Sequence, residues 1–120
     1  MSNGPIRILI VGVPRLLREL IERAISAEPD LEVIATDRLA DLSETADRER
    51  AEFAIVALED RELPPEGREF LDRRARVKLL GIGPADGHAT LYRLRPEHLA
   101  LGEVAPQDVV AAIRAEAARP

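Results

Sequence analysis

Five short apolar runs, four to six residues each, recur along this chain with charged stretches between them: Ile6 to Val11, Leu31 to Ala35, Phe53 to Leu58, Val77 to Ile82 and His98 to Leu101. Runs of that length, rich in Ile, Val and Leu, read as strands covered on both faces, which is how a parallel sheet shows itself in sequence. The stretches between them carry the helical period. After Pro14, which suits a first helical turn, Leu16, Leu17, Leu20, Ile21, Ala24 and Ile25 recur at three and four, with Arg15, Arg18, Glu19, Glu22 and Arg23 opposite. That helix should end before Pro29. A weaker amphipathic helix is expected from Leu39 to Ala51, a short one from Arg68 to Arg74, and a strong one from Pro106 to Ala118 with Val109, Val110, Ile113 and Ala117 inward. Gly83, Pro84, Gly87 and Pro96 leave room for only a turn or two of helix at Ala89 to Leu94.

Strands alternating with helices predict an α/β domain in which right-handed crossovers place helices on both faces of the sheet. The expected architecture is a single doubly wound (βα)5, flavodoxin-like domain over residues 1–120. Its five-stranded parallel sheet has order 2-1-3-4-5, its fourth helix is shortened or irregular, and 119–120 are open as the start of a linker. With 120 residues, two domains are excluded. Leu9, Val11, Leu20, Ile55, Val56, Leu80 and Ile113 are the expected core.

Composition narrows the function. Aromatic residues are 2% of the chain and its net charge is −5, so stacking platforms and a phosphate-neutralising surface are both missing, and direct nucleic-acid binding is disfavoured. No cysteine is present, which removes disulfides, Fe-S clusters and Cys-based zinc sites. His88 and His98 have no convincing third ligand and read as surface residues. The N-terminal apolar run is strand-length, too short to span a bilayer, so a cytoplasmic protein without membrane association is expected.

In such a sheet the functional crevice lies at the carboxyl ends of the strands. There the residues carry a resemblance. Ile6-Arg-Ile-Leu-Ile-Val-Gly-Val-Pro-Arg-Leu-Leu-Arg-Glu-Leu, Ala27-Glu-Pro-Asp-Leu-Glu-Val-Ile-Ala, Glu66-Gly67 and Ala105-Pro106-Gln107-Asp108-Val109 together resemble receiver domains of bacterial response regulators. The nearest group is the one joined to a NarL/LuxR-type helix-turn-helix. The resemblance implies two acids after the first strand and an Asp ending the third, which bind Mg²⁺ and accept a phosphoryl group. It also implies a Thr or Ser ending the fourth strand and a Lys ending the fifth. Oxygen ligands hold the dication, and positive charge stabilises the transferring phosphoryl. Here Gly12 and Val13 replace the acids, Gly81 stands at the hydroxyl position and Gly102 at the lysine. Two registers compete for the phosphoacceptor: counting back from Glu66-Gly67 without a gap gives Glu59, and counting along the strand gives Leu58.

Each feature has a plainer reading. One glycine after a strand falls short of a nucleotide fingerprint. Gly81 to Gly87 reads as a turn, Glu59, Asp60 and Glu62 as a solvated acidic loop, and Arg68 to Lys78 as a charged helix face. No cofactor, metal or catalytic group is expected, and no enzyme activity. The resemblance implies a degenerate pseudo-receiver that signals without phosphorylation by protein-protein contact, as a homodimer or on a regulatory partner, with any DNA-binding domain lying in a longer native chain. The candidate partner face is Leu91, Tyr92, Arg93, Arg95, Leu101, Val104 and Gln107. Leu91 and Leu94 are equally readable as core. The alternatives are a small-ligand sensor using the emptied pocket and, least favoured, a Rossmann-like enzyme fragment.

Overall fold

The first four apolar runs form the parallel strands that their composition predicts. The computed structural model describes residues 4–36, 38–60, 62–73, 77–83, 87–92 and 98–117. Along the chain these residues form β1 (Ile6–Val11), α1 (Arg15–Ser26), β2 (Leu31–Thr36), a 3-10 turn (Leu39–Asp41), α2 (Leu42–Glu49), β3 (Phe53–Ala57) and α3 (Pro65–Arg73). There follow β4 (Lys78–Ile82), β5 (His88–Tyr92), β6 (His98–Glu103) and α4 (Pro106–Ala117). The sheet order is β2-β1-β3-β4-β5-β6. β2, β1, β3 and β4 are mutually parallel, whereas β5 is antiparallel to both β4 and β6.

The architecture is therefore α/β with a six-stranded mixed sheet, which corrects the five-stranded parallel one. The difference lies in β5, which covers Ala89 to Tyr92 of the Ala89 to Leu94 stretch where a shortened fourth helix was expected; Arg93 and Leu94 lie outside the described residues. His88-Ala-Thr-Leu-Tyr92 alternates half-buried and buried residues at period two, the signature of a strand, and Thr and Tyr favour that conformation. The connection from β4 is too short for a crossover and permits only an antiparallel return. Gly87, with φ +72°, and the hydrogen bond from Gly83 N to His88 O at 2.7 Å close it. Two successive reversals restore the direction of β4 in β6. The expected last strand thus exists, lengthened to Glu103, but stands one strand further out.

Alternation along β1 and β3 divides the core between the two faces. Ile8, Ile10, Phe53, Ile55, Leu80 and Ile82 pack with Ile21 and Ile25 of α1 and with Val109, Val110 and Ile113 of α4. On the other face Leu9, Val11, Ala54, Val56 and Leu79 pack with Leu42 and Ala46 of α2 and with Phe70 and Leu71 of α3. Each such aliphatic or aromatic burial contributes about 1.5 to 3 kcal/mol. Leu9, Val11, Ile55, Val56, Leu80 and Ile113 lie in this core as expected. Leu20 does not: it is 43% exposed, because the apolar arc of α1 is wider than the face the sheet covers.

Charged side chains tie the layers together. Arg7 on β1 reaches Glu32 on β2 at 2.8 Å and Glu49 on α2 at 3.1 Å. Lys78, at the start of β4, donates to the Glu116 backbone carbonyl near the end of α4, where a cation complements the helix dipole. Arg114 of α4 bridges Asp30 and Glu28 beyond α1. The last helix begins at Pro106, and the Asp108 carboxylate accepts the Ala105 N–H at 2.9 Å, half of a capping box. Among the described residues no helix is long and apolar enough to cross a membrane.

Candidate functional site at the carboxyl end of the sheet

The turn after β1 places Gly12 at φ +67°, a left-handed conformation that explains the glycine. Val13 is not a pocket residue: it is buried and belongs to the core on the α1 and α4 face. An acid there would be desolvated without a partner.

Leu58 and Gly81 meet. The β3–β4 pairing continues one residue past β3, since Leu58 N donates to Ile82 O at 2.9 Å, and strand alternation turns the Leu58 side chain to the same face as Val56 and Gly81. Leu58 is buried and lies across the glycine so closely that a Cβ at position 81 would stand 2.8 Å from Leu58 Cγ and 3.3 Å from Tyr92 Cε2. Glycine is required here by close approach, and the space a hydroxyl side chain would occupy holds a leucine.

Glu59 lies outside this contact. It is exposed, and its backbone pairs with Glu62 in an isolated bridge, Glu59 N to Glu62 O at 3.0 Å and the reverse at 2.8 Å. Asp60 between them takes φ +50°, which Asp tolerates better than most residues. The acidic loop is a tight turn with its carboxylates toward solvent. Among the described residues no group of three or more His, Asp or Glu is arranged to hold a metal ion.

Gly102 is separated from the other pocket residues. It pairs with Ala89 of β5 while Ala100 pairs with Thr90, so Leu101 is an extra residue in a β-bulge, and Gly102 takes φ +73°. The bulge explains the glycine. Because β5 intervenes, Gly102 lies two strand spacings from β4, roughly 10 Å, and the single-spacing arrangement implied by resemblance does not exist. Gly12, Leu58 and Gly81 lie at or just past the carboxyl ends of β1, β3 and β4, and Gly102 lies near that of β6, beyond them.

The candidate partner face is likewise divided. Leu91 is 3% exposed and is core. Tyr92 is half-buried against the α2 and α3 face, and Leu101 and Val104 pack on the α1 and α4 face. Gln107 is exposed. Arg93, Leu94 and Arg95 lie outside the described residues. Burial pushes the Tyr92 hydroxyl above its ordinary value, outweighing a hydrogen bond with Thr90 and the nearby Arg68. His88 is half-buried and opposite Glu103 across β5 and β6. An open groove runs along α3, lined by Leu63, Pro65 and five charged residues, Glu62, Arg68, Glu69, Asp72 and Arg73. β5 is the element that sequence reasoning missed; the period-two run bounded by Gly87 was the available signal.

Comparison with family models, with curated proteins and with solved structures yields no match.

Proposed function

We propose that this chain is a regulatory interaction module, a receiver-like domain that has lost phosphotransfer and acts by contact with another protein chain, a second copy or a regulatory partner. One observation carries the reading: Leu58, the inward residue where β3 ends, fills the space over Gly81. In this reading Leu58 occupies the phosphoacceptor position. Gly12 and Val13 supply no acid for a dication, and Gly102 stands a strand too far out to serve as the phosphoryl-stabilising cation even if replaced by lysine. The same leucine weighs against the small-ligand alternative, since the vacated pocket is packed with an aliphatic side chain.

The test is intact-mass analysis after treatment with acetyl phosphate and Mg²⁺. No added phosphoryl mass is expected on the wild-type chain. Nor is any expected on the variant Gly12→Asp/Glu59→Asp/Gly102→Lys, which spares the buried Val13 and keeps the intervening β5 and the buried Leu58. A stable phosphoryl adduct on the wild-type protein would overturn the reading.

A further inference from the structure

The large apolar side chains that the described residues leave exposed lie on α1, away from the β5 and β6 edge: Leu16 is 72% exposed and Leu20 43%. They stand one turn apart. Beside them, also one turn apart, Arg15 and Glu19 form an ion pair at 3.4 Å. The helix meets its own core elsewhere, through Ile21, Ala24, Ile25 and the partly buried Leu17. A lone exposed leucine is ordinary. Two of them flanked by opposite charges make a patterned surface.

We propose that this surface is where a second copy of the chain docks, α1 against α1 in antiparallel about a two-fold axis. The inference rests on the interaction-module reading for its premise that contact is the output, and it names the occupant and the surface. The four residues form two parallel rows, Leu16 with Leu20 and Arg15 with Glu19. A two-fold axis perpendicular to both helices keeps each row facing its own copy and reverses its direction. Leu16 then lies on Leu20 of the second copy, Arg15 lies on Glu19 of the second copy, and both contacts occur twice, which is the reciprocity an isologous interface requires. Parallel docking about an axis along the helices would exchange the rows, setting Leu16 and Leu20 against Arg15 and Glu19 of the second copy. Charge complementarity therefore selects the second copy and its direction. An arbitrary apolar partner would have no counterpart for the Arg15 and Glu19 row.

Four residues a side is far below the roughly 20 to 30 of a standard stable interface. The dimer is accordingly of the weak class, populated at high protein concentration.

Sedimentation equilibrium of the intact chain from about 10 µM to about 1 mM, the range in which weak interfaces populate, tests this. A concentration-dependent monomer–dimer equilibrium is expected. Leu16→Glu should raise the dissociation constant about tenfold or more. Glu19→Arg should also weaken association, by setting like charges against each other. Combining it as Arg15→Glu/Glu19→Arg should recover association to within about threefold, since the swapped row is again self-complementary. All of these positions are exposed, so unchanged urea midpoints verify that each variant is folded. Tyr92→Ala should leave association unchanged. A monomer at every concentration overturns the proposal, as does a dimer indifferent to Leu16→Glu, a charge swap that fails to recover, or a dimer lost with Tyr92→Ala. Phosphoryl uptake in the mass experiment would remove the interaction-module reading without altering these outcomes, and a monomer would leave that reading standing with a different partner.

Discussion

The packing of Leu58 over Gly81 can be measured by a double-mutant cycle. In Gly81→Ala the new methyl would stand 2.8 Å from Leu58 Cγ, a separation that packed carbons do not tolerate. Leu58 is 5% exposed and cannot swing into solvent without vacating its site. Overpacking of this kind costs about 1 to 3 kcal/mol, reduced by roughly 0.5 kcal/mol because alanine restricts the unfolded chain more than glycine does. Leu58→Ala alone should cost about 2 to 5 kcal/mol, the range for emptying a packed leucine site. The two changes remove each other's problem: with alanine at 58 the colliding leucine atoms are gone, leaving only the 3.3 Å approach of the Tyr92 ring, and the methyl at 81 partly fills the cavity. In that background Gly81→Ala should be neutral or slightly stabilising. The coupling energy should therefore be about 1 to 3 kcal/mol in the direction of rescue, a size expected of residues in direct contact. Urea unfolding of the four proteins, with a common m-value verifying two-state behaviour, gives it directly. Additivity within about 0.5 kcal/mol would refute the contact, and with it the claim that this pocket is filled by leucine.

Two further outcomes follow from contacts at the ends of the helices. Ala105→Ser should stabilise the fold by about 0.5 to 1 kcal/mol, because a hydroxyl at the cap position accepts a backbone N–H of the first turn and completes the reciprocal box that Asp108 already half forms; thermal unfolding reads this. The Arg114 hydrogen bond holds the Asp30 carboxyl below its ordinary value of 3.8. The stabilisation from that pair is therefore complete above the unfolded value and fades as pH falls through the lower folded one. Asp30→Asn should flatten the acid limb of the stability–pH curve below about pH 4 without changing its shape above pH 6. An unchanged acid limb would show that the pair contributes nothing to folding.

The part of the fold from β1 to β4 was legible because its two periodicities do not overlap. Ile6 to Val11 and Phe53 to Leu58 are too short and too uniformly apolar for a surface helix, and α1 repeats at three and four with its charges opposite. Legibility failed where a pattern is correct but its partner is unseen. Leu20 belongs to the apolar arc of α1 as much as Ile21 does, and only the sheet's position decides that Ile21 is covered and Leu20 is not. Sequence shows an arc, whereas burial depends on how much of it the sheet spans. Leu58 and Glu59 were indistinguishable for a related reason. Neighbouring strand residues point to opposite faces, and which of the two turns toward Gly81 depends on the continued β3–β4 pairing, the hydrogen bond from Leu58 N to Ile82 O, a contact 24 residues apart in sequence.

β5 shows how a five-residue misreading propagates into function. His88 to Tyr92 holds one period-two pattern of two buried residues, and Gly83, Pro84 and Gly87 before it with Pro96 after it are equally consistent with a broken helix and with two hairpin turns. Read as a helix, the segment leaves the last strand beside β4 and brings Gly102 toward Gly81 as a depleted phosphorylation site. Formed as a strand, it takes the place beside β4 itself, and its antiparallel direction makes the next strand run parallel to β4 one position further out. The glycine at 102 then has a local cause, the bulge at Leu101 with its φ of +73°. Substitutions at the sheet's edge alone are therefore expected to leave the chain unphosphorylated. The separation between β4 and β6 is set by a paired strand, and displacing that strand would take Ala89 and Leu91 out of the core on the face that α1 and α4 cover.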